Sequence, residues 1–304
     1  MAKHEAWELK QLQALPLEEK IKLSQERIKE WYDHWNGQVY ISYSGGKDST
    51  VLRHLVKQLY PEVPAVFVNT GLEYPEVRRL AMKNADKVLK PKIGYKKVVE
   101  KYGWPVISKE VASKIREVRY TKSEKLKSKR LYGDEKGNGK VPSKWIFLQN
   151  APFDTSHKCC DIMKKYPFKQ YEKTTAKKPI IGIMTDESYL RKSNWMKTGC
   201  NAFENTRPIS SPLSFWTEYD ILKYIVQNDL EIPSVYGEII EENGKLKTTK
   251  ASRTGCMYCM FGVHLEKEPN RFQRMKIEHP NQWNCFIHRL KGKEVLDYIG
   301  VKYE

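Results

Sequence analysis

The chain has 304 residues, 40% of them apolar, and a formal net charge of +17. That length supports one large domain or one and a half, and no apolar run is long enough to cross a bilayer. The charged start Met1–Gln11 argues against a secretory leader, so the expectation is a cytoplasmic protein with no membrane partner, drawn to polyanions by its charge.

The first predicted element is a helix from Leu17 to Trp35, with apolar or aromatic positions at Leu17, Ile21, Ile28, Trp31, Tyr32 and Trp35 and a stop at Gly37. A β-like run, Gln38 to Tyr43, then enters Ser44-Gly45-Gly46-Lys47-Asp48-Ser49. A second helix follows, its apolar face at Val51, Leu52, Leu55, Val56 and Leu59. Strand, Gly-Gly turn and helix N-terminus together make an anion site, because unpaired N–H groups point outward and the dipole favours negative charge. The glycines let the backbone approach a bulky oxyanion, and Lys47 adds a mobile point charge. The alternative is an ordinary turn capped by Asp48 or Ser49. The GxxxxGK(S/T) spacing is absent, so this is not a Walker A loop.

Further strands are predicted at Ala65–Asn69 and Pro179–Met184, with helical patterns between, which indicates a parallel sheet flanked by helices and a ligand at the carboxyl ends of its strands. The stretch Lys114–Lys140 is strongly basic. It reads either as a solvated helix followed by a mobile loop at Gly133, Gly137 and Gly139, or as a nucleic-acid contact, with aromatics there limited to Tyr120 and Tyr132. Later, Ser214–Asn228 reads as a helix, Gly237–Lys250 as a polar, turn-rich connection, and Gly292–Ile299 as a short final helix.

Six cysteines in a reducing compartment are ligands or catalysts before they are disulfides. Cys159 and Cys160 are adjacent, and Cys256 and Cys259 form a C-x-x-C. Neighbouring cysteines rarely pair with each other, and they fit one tetrahedral zinc less easily than separate irons of a 4Fe-4S cluster. Zinc and unrelated buried thiols stay open on spacing alone.

The loop Ser44–Ser49 resembles the SGGxDS loop of the PP-loop nucleotide family. Together with Val66–Pro75, Gly182–Ser188 and Arg191, it resembles the three ordered motifs of the PAPS/APS reductase family. Trp216-Thr217-Glu218 with Asp220, and Ile232-Pro233 before Tyr236-Gly237, are similar to later landmarks, over residues 38 to 260 in all. Leu17–Gly37 and Arg253-Thr254-Gly255-Cys256 look more like a phage- and prophage-associated branch. The resemblance implies an α/β, Rossmann-like (HUP) parallel sheet with an N-terminal helix and a C-terminal cluster-binding extension. The expected segments are 1–37, a nucleotide-binding domain at 38–230 and an extension at 231–304. It implies that Ser44, Gly45, Gly46, Lys47, Asp48 and Ser49 hold phosphate or sulfate oxygens of ATP, APS or PAPS, with Mg2+ an admissible companion. By the same resemblance Thr70 and Gly71 should lie by the adenosine, Glu187 and Arg191 should line the pocket mouth, and Lys47, Asp48, Glu187 and Arg191 are the catalytic candidates. Cys159, Cys160, Cys256 and Cys259 match the cysteines that hold the 4Fe-4S cluster.

Two departures bear on activity. Met184 stands where many reductases carry arginine, and the chain ends Gly300-Val301-Lys302-Tyr303-Glu304 without the family's Glu-Cys-Gly-Leu-His tail, leaving Cys200 or Cys285 as substitute nucleophile. The expected function is therefore an ATP-using enzyme that activates or sulfur-modifies another substrate such as nucleic acid. The alternatives are a true reductase served by a thioredoxin-like partner and a non-catalytic regulatory or defence component. A companion protein and a homo-oligomer both fit these readings.

Overall fold

The structure, a computed structural model, describes residues 4–304; residues 1–3, which begin the expected segment 1–37, lie outside the described residues. The chain divides into two compact units, one holding residues up to Lys90 and Phe168–Thr254, the other Pro91–Pro167 and Gly255–Glu304.

The first unit is built on a six-stranded sheet. Its spatial order is Lys87–Leu89, Ala65–Val68, Val39–Tyr43, Lys178–Ile181, Ile209–Ser210, Asn201–Ala202. All neighbours run parallel except the last pair. Val39–Tyr43 pairs on one side with Ala65–Val68, Ile41 opposite Ala65, and on the other with Lys178–Ile181, Val39 opposite Lys178. The next strands in sequence lie to one side of it and the later ones to the other. Its carboxyl end is therefore the switch point at which open α/β sheets bind ligands, and Ser44–Ser49 starts there.

This strand is almost wholly buried, as expected of a parallel strand covered on both faces. Helix Leu17–His34 contributes Ile28 and Trp31 to the core, and helix Lys47–Leu59 contributes Val51, Leu52, Leu55 and Val56. The predicted helix from Ser214 begins instead at Glu218. Thr217 and Asp220 form a capping box, with the Asp220 carboxylate accepting from Thr217 N–H at 2.7 Å. The same carboxylate takes the buried Lys20 ammonium at 2.7 Å, tying the N-terminal helix to the later one. The predicted strand Pro179–Met184 is observed as Lys178–Ile181. It ends before Gly182, where an added Cβ would come 3.0 Å from the Asp48 carbonyl oxygen. The stretch read as a connection, Gly237–Lys250, contains a hairpin, Ile239–Glu242 with Lys245–Thr248, turning at Asn243 and Gly244, both at positive φ.

The second unit is mainly helical. Tyr95–Tyr102, Lys109–Tyr120, Glu124–Tyr132, Arg271–Glu278 and Gly292–Tyr298 accompany a short parallel pair, Val106–Ile107 with Met260–Phe261. Tyr95, Trp104, Tyr258, Phe272 and Phe286 form a ring cluster with centroid separations from 4.9 to 6.3 Å. The basic stretch folds as two helices and a loop, and several of its cations have acidic partners: Lys114 with Glu110, Arg130 with Glu117, Lys129 with Asp134 and Arg119 with Asp154. Among the described residues no helix is long and apolar enough to cross a membrane.

Candidate functional site

Sequence dictates the phosphate loop locally. Gly45 sits at φ +77°, and a Cβ there would meet the Val77 carbonyl at 2.7 Å and Ala81 Cβ at 2.8 Å. Only glycine lets the loop press so closely on helix Pro75–Asn84. Gly46 caps the next helix in an extended conformation. Ser49 Oγ donates to the Gly46 carbonyl at 2.9 Å and lies 3.0 Å from Ser44 Oγ, which closes the loop on itself. The amides in its bend have only long side-chain partners: Gly46 N–H reaches Ser44 Oγ at 3.4 Å, and Lys47 N–H reaches the Tyr236 hydroxyl at 3.4 Å. These donors at a helix N-terminus suit an incoming oxyanion.

Lys47 departs from its expected role as a mobile charge. It is 2% exposed, and Nζ is fixed by the Ser252 carbonyl at 2.9 Å, Glu218 at 3.2 Å and Asp48 at 3.5 Å. Its stem is buried against the fold, so it contributes a stationary positive charge under the loop. Asp48 Oδ1 is buried and, apart from the Lys47 ammonium 3.5 Å away, has no hydrogen-bond partner among the described residues.

Glu187 and Arg191 belong to the same unit as the loop. Glu187 Oε2 accepts from Met184 N–H at 3.1 Å and pairs with Arg191, while Oε1 pairs with Arg253. Burial, then the like charge of Arg253, lowers the Arg191 pKa, and the opposite charge of Asp48 raises it. Asp186, beside them, accepts from Gln13 Nε2 at 2.7 Å. At the end of the neighbouring strand, Thr70 Oγ1 donates to Glu73 at 2.6 Å, and Gly71, at φ +74°, borders open space. A cavity of about 340 Å³ at the carboxyl end of Lys178–Ile181 is lined by Met184, Thr185, Arg191, Trp195, Cys200 and Ser214 among others.

Three residues with no role assigned from sequence complete the loop's surroundings. Tyr236 stands over Gly46, its hydroxyl 2.9 Å from Thr254 Oγ1. Arg253 joins Glu187, and Glu218 fixes Lys47. Their signal lay in the strings Ile232-Pro233 before Tyr236-Gly237, Arg253-Thr254-Gly255-Cys256 and Trp216-Thr217-Glu218, which spacing alone ties to no chemistry.

The four expected ligand cysteines fall in the second unit. Cys159 and Cys160 open a helix that passes through a π-helical turn at Asp161–Lys165. Cys256 and Cys259 form a tight turn closed by Cys259 N–H on the Cys256 carbonyl at 3.1 Å. None of the six cysteines is in a disulfide. Burial, then the charges of Cys160, Cys256 and Cys259, pushes the Cys159 thiol up, and burial pushes Cys259 up as well. Cys159 thus feels the other three. Among the described residues no three His, Cys, Asp or Glu side chains are grouped closely enough to hold a metal ion. The two spare cysteines differ in setting. Burial raises the Cys200 pKa, with Ser214 Oγ at 3.3 Å, while Cys285 lies against the Tyr258 hydroxyl.

The chain is 24% identical over 284 residues to an uncharacterized protein of Methanocaldococcus jannaschii, covering 90% of this chain but only 54% of that protein. It is 24% identical over 274 residues to the adenosine 5'-phosphosulfate reductase of Staphylococcus epidermidis, covering 90% of each. Among solved structures, the phosphoadenylyl-sulfate reductase of Candida auris aligns at 14% identity and TM-score 0.40, covering 73% of this chain and 89% of that one. A U34-tRNA thiolase of Methanococcus maripaludis with its 4Fe-4S cluster aligns at 12% identity and TM-score 0.37, covering 91% of this chain and 80% of that one. The sequence profile of the phosphoadenosine phosphosulfate reductase domain matches residues 38–260, and the chain belongs to that family.

Proposed function

We propose that the chain is an enzyme that binds an adenine nucleotide on Ser44–Ser49 and uses ATP to activate or sulfur-modify a second substrate, nucleic acid being the class its charge favours. The observation that carries this reading is the Gly45-Gly46 bend: a loop shaped for an oxyanion, at the switch point of the sheet, with Lys47 fixed beneath it. In the reaction an acceptor oxygen attacks the α-phosphorus, the bond to the bridging oxygen breaks, and pyrophosphate departs. The loop amides and the fixed Lys47 charge stabilise the departing anion without having to reorganise.

Cys159, Cys160, Cys256 and Cys259 are proposed to hold a 4Fe-4S cluster. The four cysteines share one unit, the charges of the other three reach the buried Cys159, and a cationic multi-iron centre would offset the burial that raises Cys159 and Cys259. When bound, such a cluster adds redox-active iron; the cysteines themselves serve only as its ligands.

The reductase reading draws its support from the likeness to the Staphylococcus reductase over 90% of both chains. It requires an attacking thiolate, and burial raises the Cys200 pKa, away from the anion that attack needs. The test uses anaerobically purified protein with ATP and either a tRNA mixture or duplex DNA. Pyrophosphate release that persists in the Cys200→Ser, Cys285→Ser double variant is the expected result. Sulfite formed from APS with thioredoxin, and lost in the double variant, would overturn it in favour of the reductase.

A further inference from the structure

Glu187 is shared by two guanidiniums. Arg191 pairs with one carboxylate oxygen and Arg253 with the other, and the side chains of these arginines repel each other. Arg253 lies on a segment anchored to the phosphate loop at the residues on either side of it. The Ser252 carbonyl accepts from Lys47 Nζ at 2.9 Å, and Thr254 Oγ1 is 2.9 Å from the Tyr236 hydroxyl that stands over Gly46. Arg253 itself keeps a largely exposed side chain, 56% accessible, whereas the Glu187 carboxylate between the arginines is 12% accessible. A guanidinium fork presents the same donor geometry to a carboxylate as to two oxygens of a phosphate or sulfate. The pair of arginines is therefore an oxyanion seat holding an internal carboxylate, beside the loop assigned to the nucleotide.

We propose that Arg253 is a specificity-determining residue: with Arg191 it seats the terminal oxyanion of the nucleotide, and Glu187 fills that seat until the oxyanion displaces it. This rests on the reading that Ser44–Ser49 binds an adenine nucleotide. The Met184 amide gives Glu187 a retained anchor, so one carboxylate oxygen has a partner after the arginines are given up.

Isothermal titration of the full, anaerobically purified chain with AMP, ATP, APS and PAPS tests the proposal, using wild type, Arg253→Gln, Arg253→Lys and Glu187→Gln. Wild type should bind the tightest of ATP, APS and PAPS more strongly than AMP, which identifies the oxyanion the seat takes. Arg253→Gln should weaken that ligand by about tenfold or more, the usual worth of a charge-assisted hydrogen bond, and leave AMP unchanged. Arg253→Lys should restore only part of the loss, because the fork is gone. Glu187→Gln keeps the acceptor for Met184 N–H but removes the competing charge, so it should bind the same ligand several-fold more tightly. Weaker binding by Glu187→Gln would overturn the proposal, since the carboxylate would then be holding the arginines for the ligand. Equal loss of AMP and the longer nucleotide in Arg253→Gln would overturn it too. Wild type that binds AMP as well as the other three refutes the seat while leaving the loop's role intact; wild type that binds no adenine nucleotide refutes both.

Discussion

Gly46→Val is expected to abolish adenine-nucleotide binding while the chain stays folded. Gly46 has an ordinary extended backbone, so a side chain there costs no φ strain. Its Cβ would come 3.0 Å from the Tyr236 hydroxyl and 3.6 Å from Thr254 Oγ1, contacts that a small shift of a side-chain end relieves. The valine methyls would then fill the space in front of the Gly46 and Lys47 amides, which an oxyanion must reach. Gly45→Ala is the contrasting variant. At φ +77°, with the Val77 carbonyl 2.7 Å from the new Cβ, it should destabilise the fold by about 1–3 kcal/mol from overpacking, and by roughly 1–2 kcal/mol more from the left-handed backbone. Thermal melts and nucleotide titrations of both variants separate the two effects. Nucleotide affinity unchanged in Gly46→Val would remove the loop from the site.

Protein purified without oxygen should be brown and carry about four irons per chain. Changing any one of Cys159, Cys160, Cys256 or Cys259 to serine should remove most of the iron and the visible absorbance, since an alcohol replaces a thiolate ligand. Cys200→Ser and Cys285→Ser should keep both. The physical basis is the charge of the other three cysteines at buried Cys159, which bound iron would offset. Iron content by chelator assay, with zinc measured in the same sample, decides the matter. Stoichiometric zinc without iron would contradict the assignment.

What was legible in the sequence is what neighbouring residues determine. The run Val39–Tyr43, the glycine turn and the helix beginning at Lys47 are contiguous, and their chemistry is complete within a short stretch. The parallel sheet followed from short apolar runs separated by helical patterns, and its switch point coincides with the loop. The error at Ser214 came from weighting apolar spacing above the cap, although Thr217 and Asp220 carried the signal. The hairpin at Asn243-Gly244 likewise had its turn residues in plain view. The burial of Lys47 was not legible, because the carbonyl that fixes it belongs to Ser252 and the carboxylate to Glu218, both remote in sequence. The same is true of Arg253, whose partner Glu187 is set by folding and by no local pattern. The assembly of residues 91–167 with 255–304 in one unit also has no local signal; it depends on pairings such as Val106–Ile107 with Met260–Phe261.

The most direct test of the central claim is the melting temperature of the anaerobically purified wild-type chain with ATP, APS or PAPS over a range of concentrations. A ligand that binds the native state stabilises it by about 2.7 kcal/mol at a hundred times its Kd. At least one of the three nucleotides should therefore raise the melting temperature by several degrees, saturably, and should fail to do so in Gly46→Val. A melting temperature that none of the three moves at millimolar concentration would contradict the account.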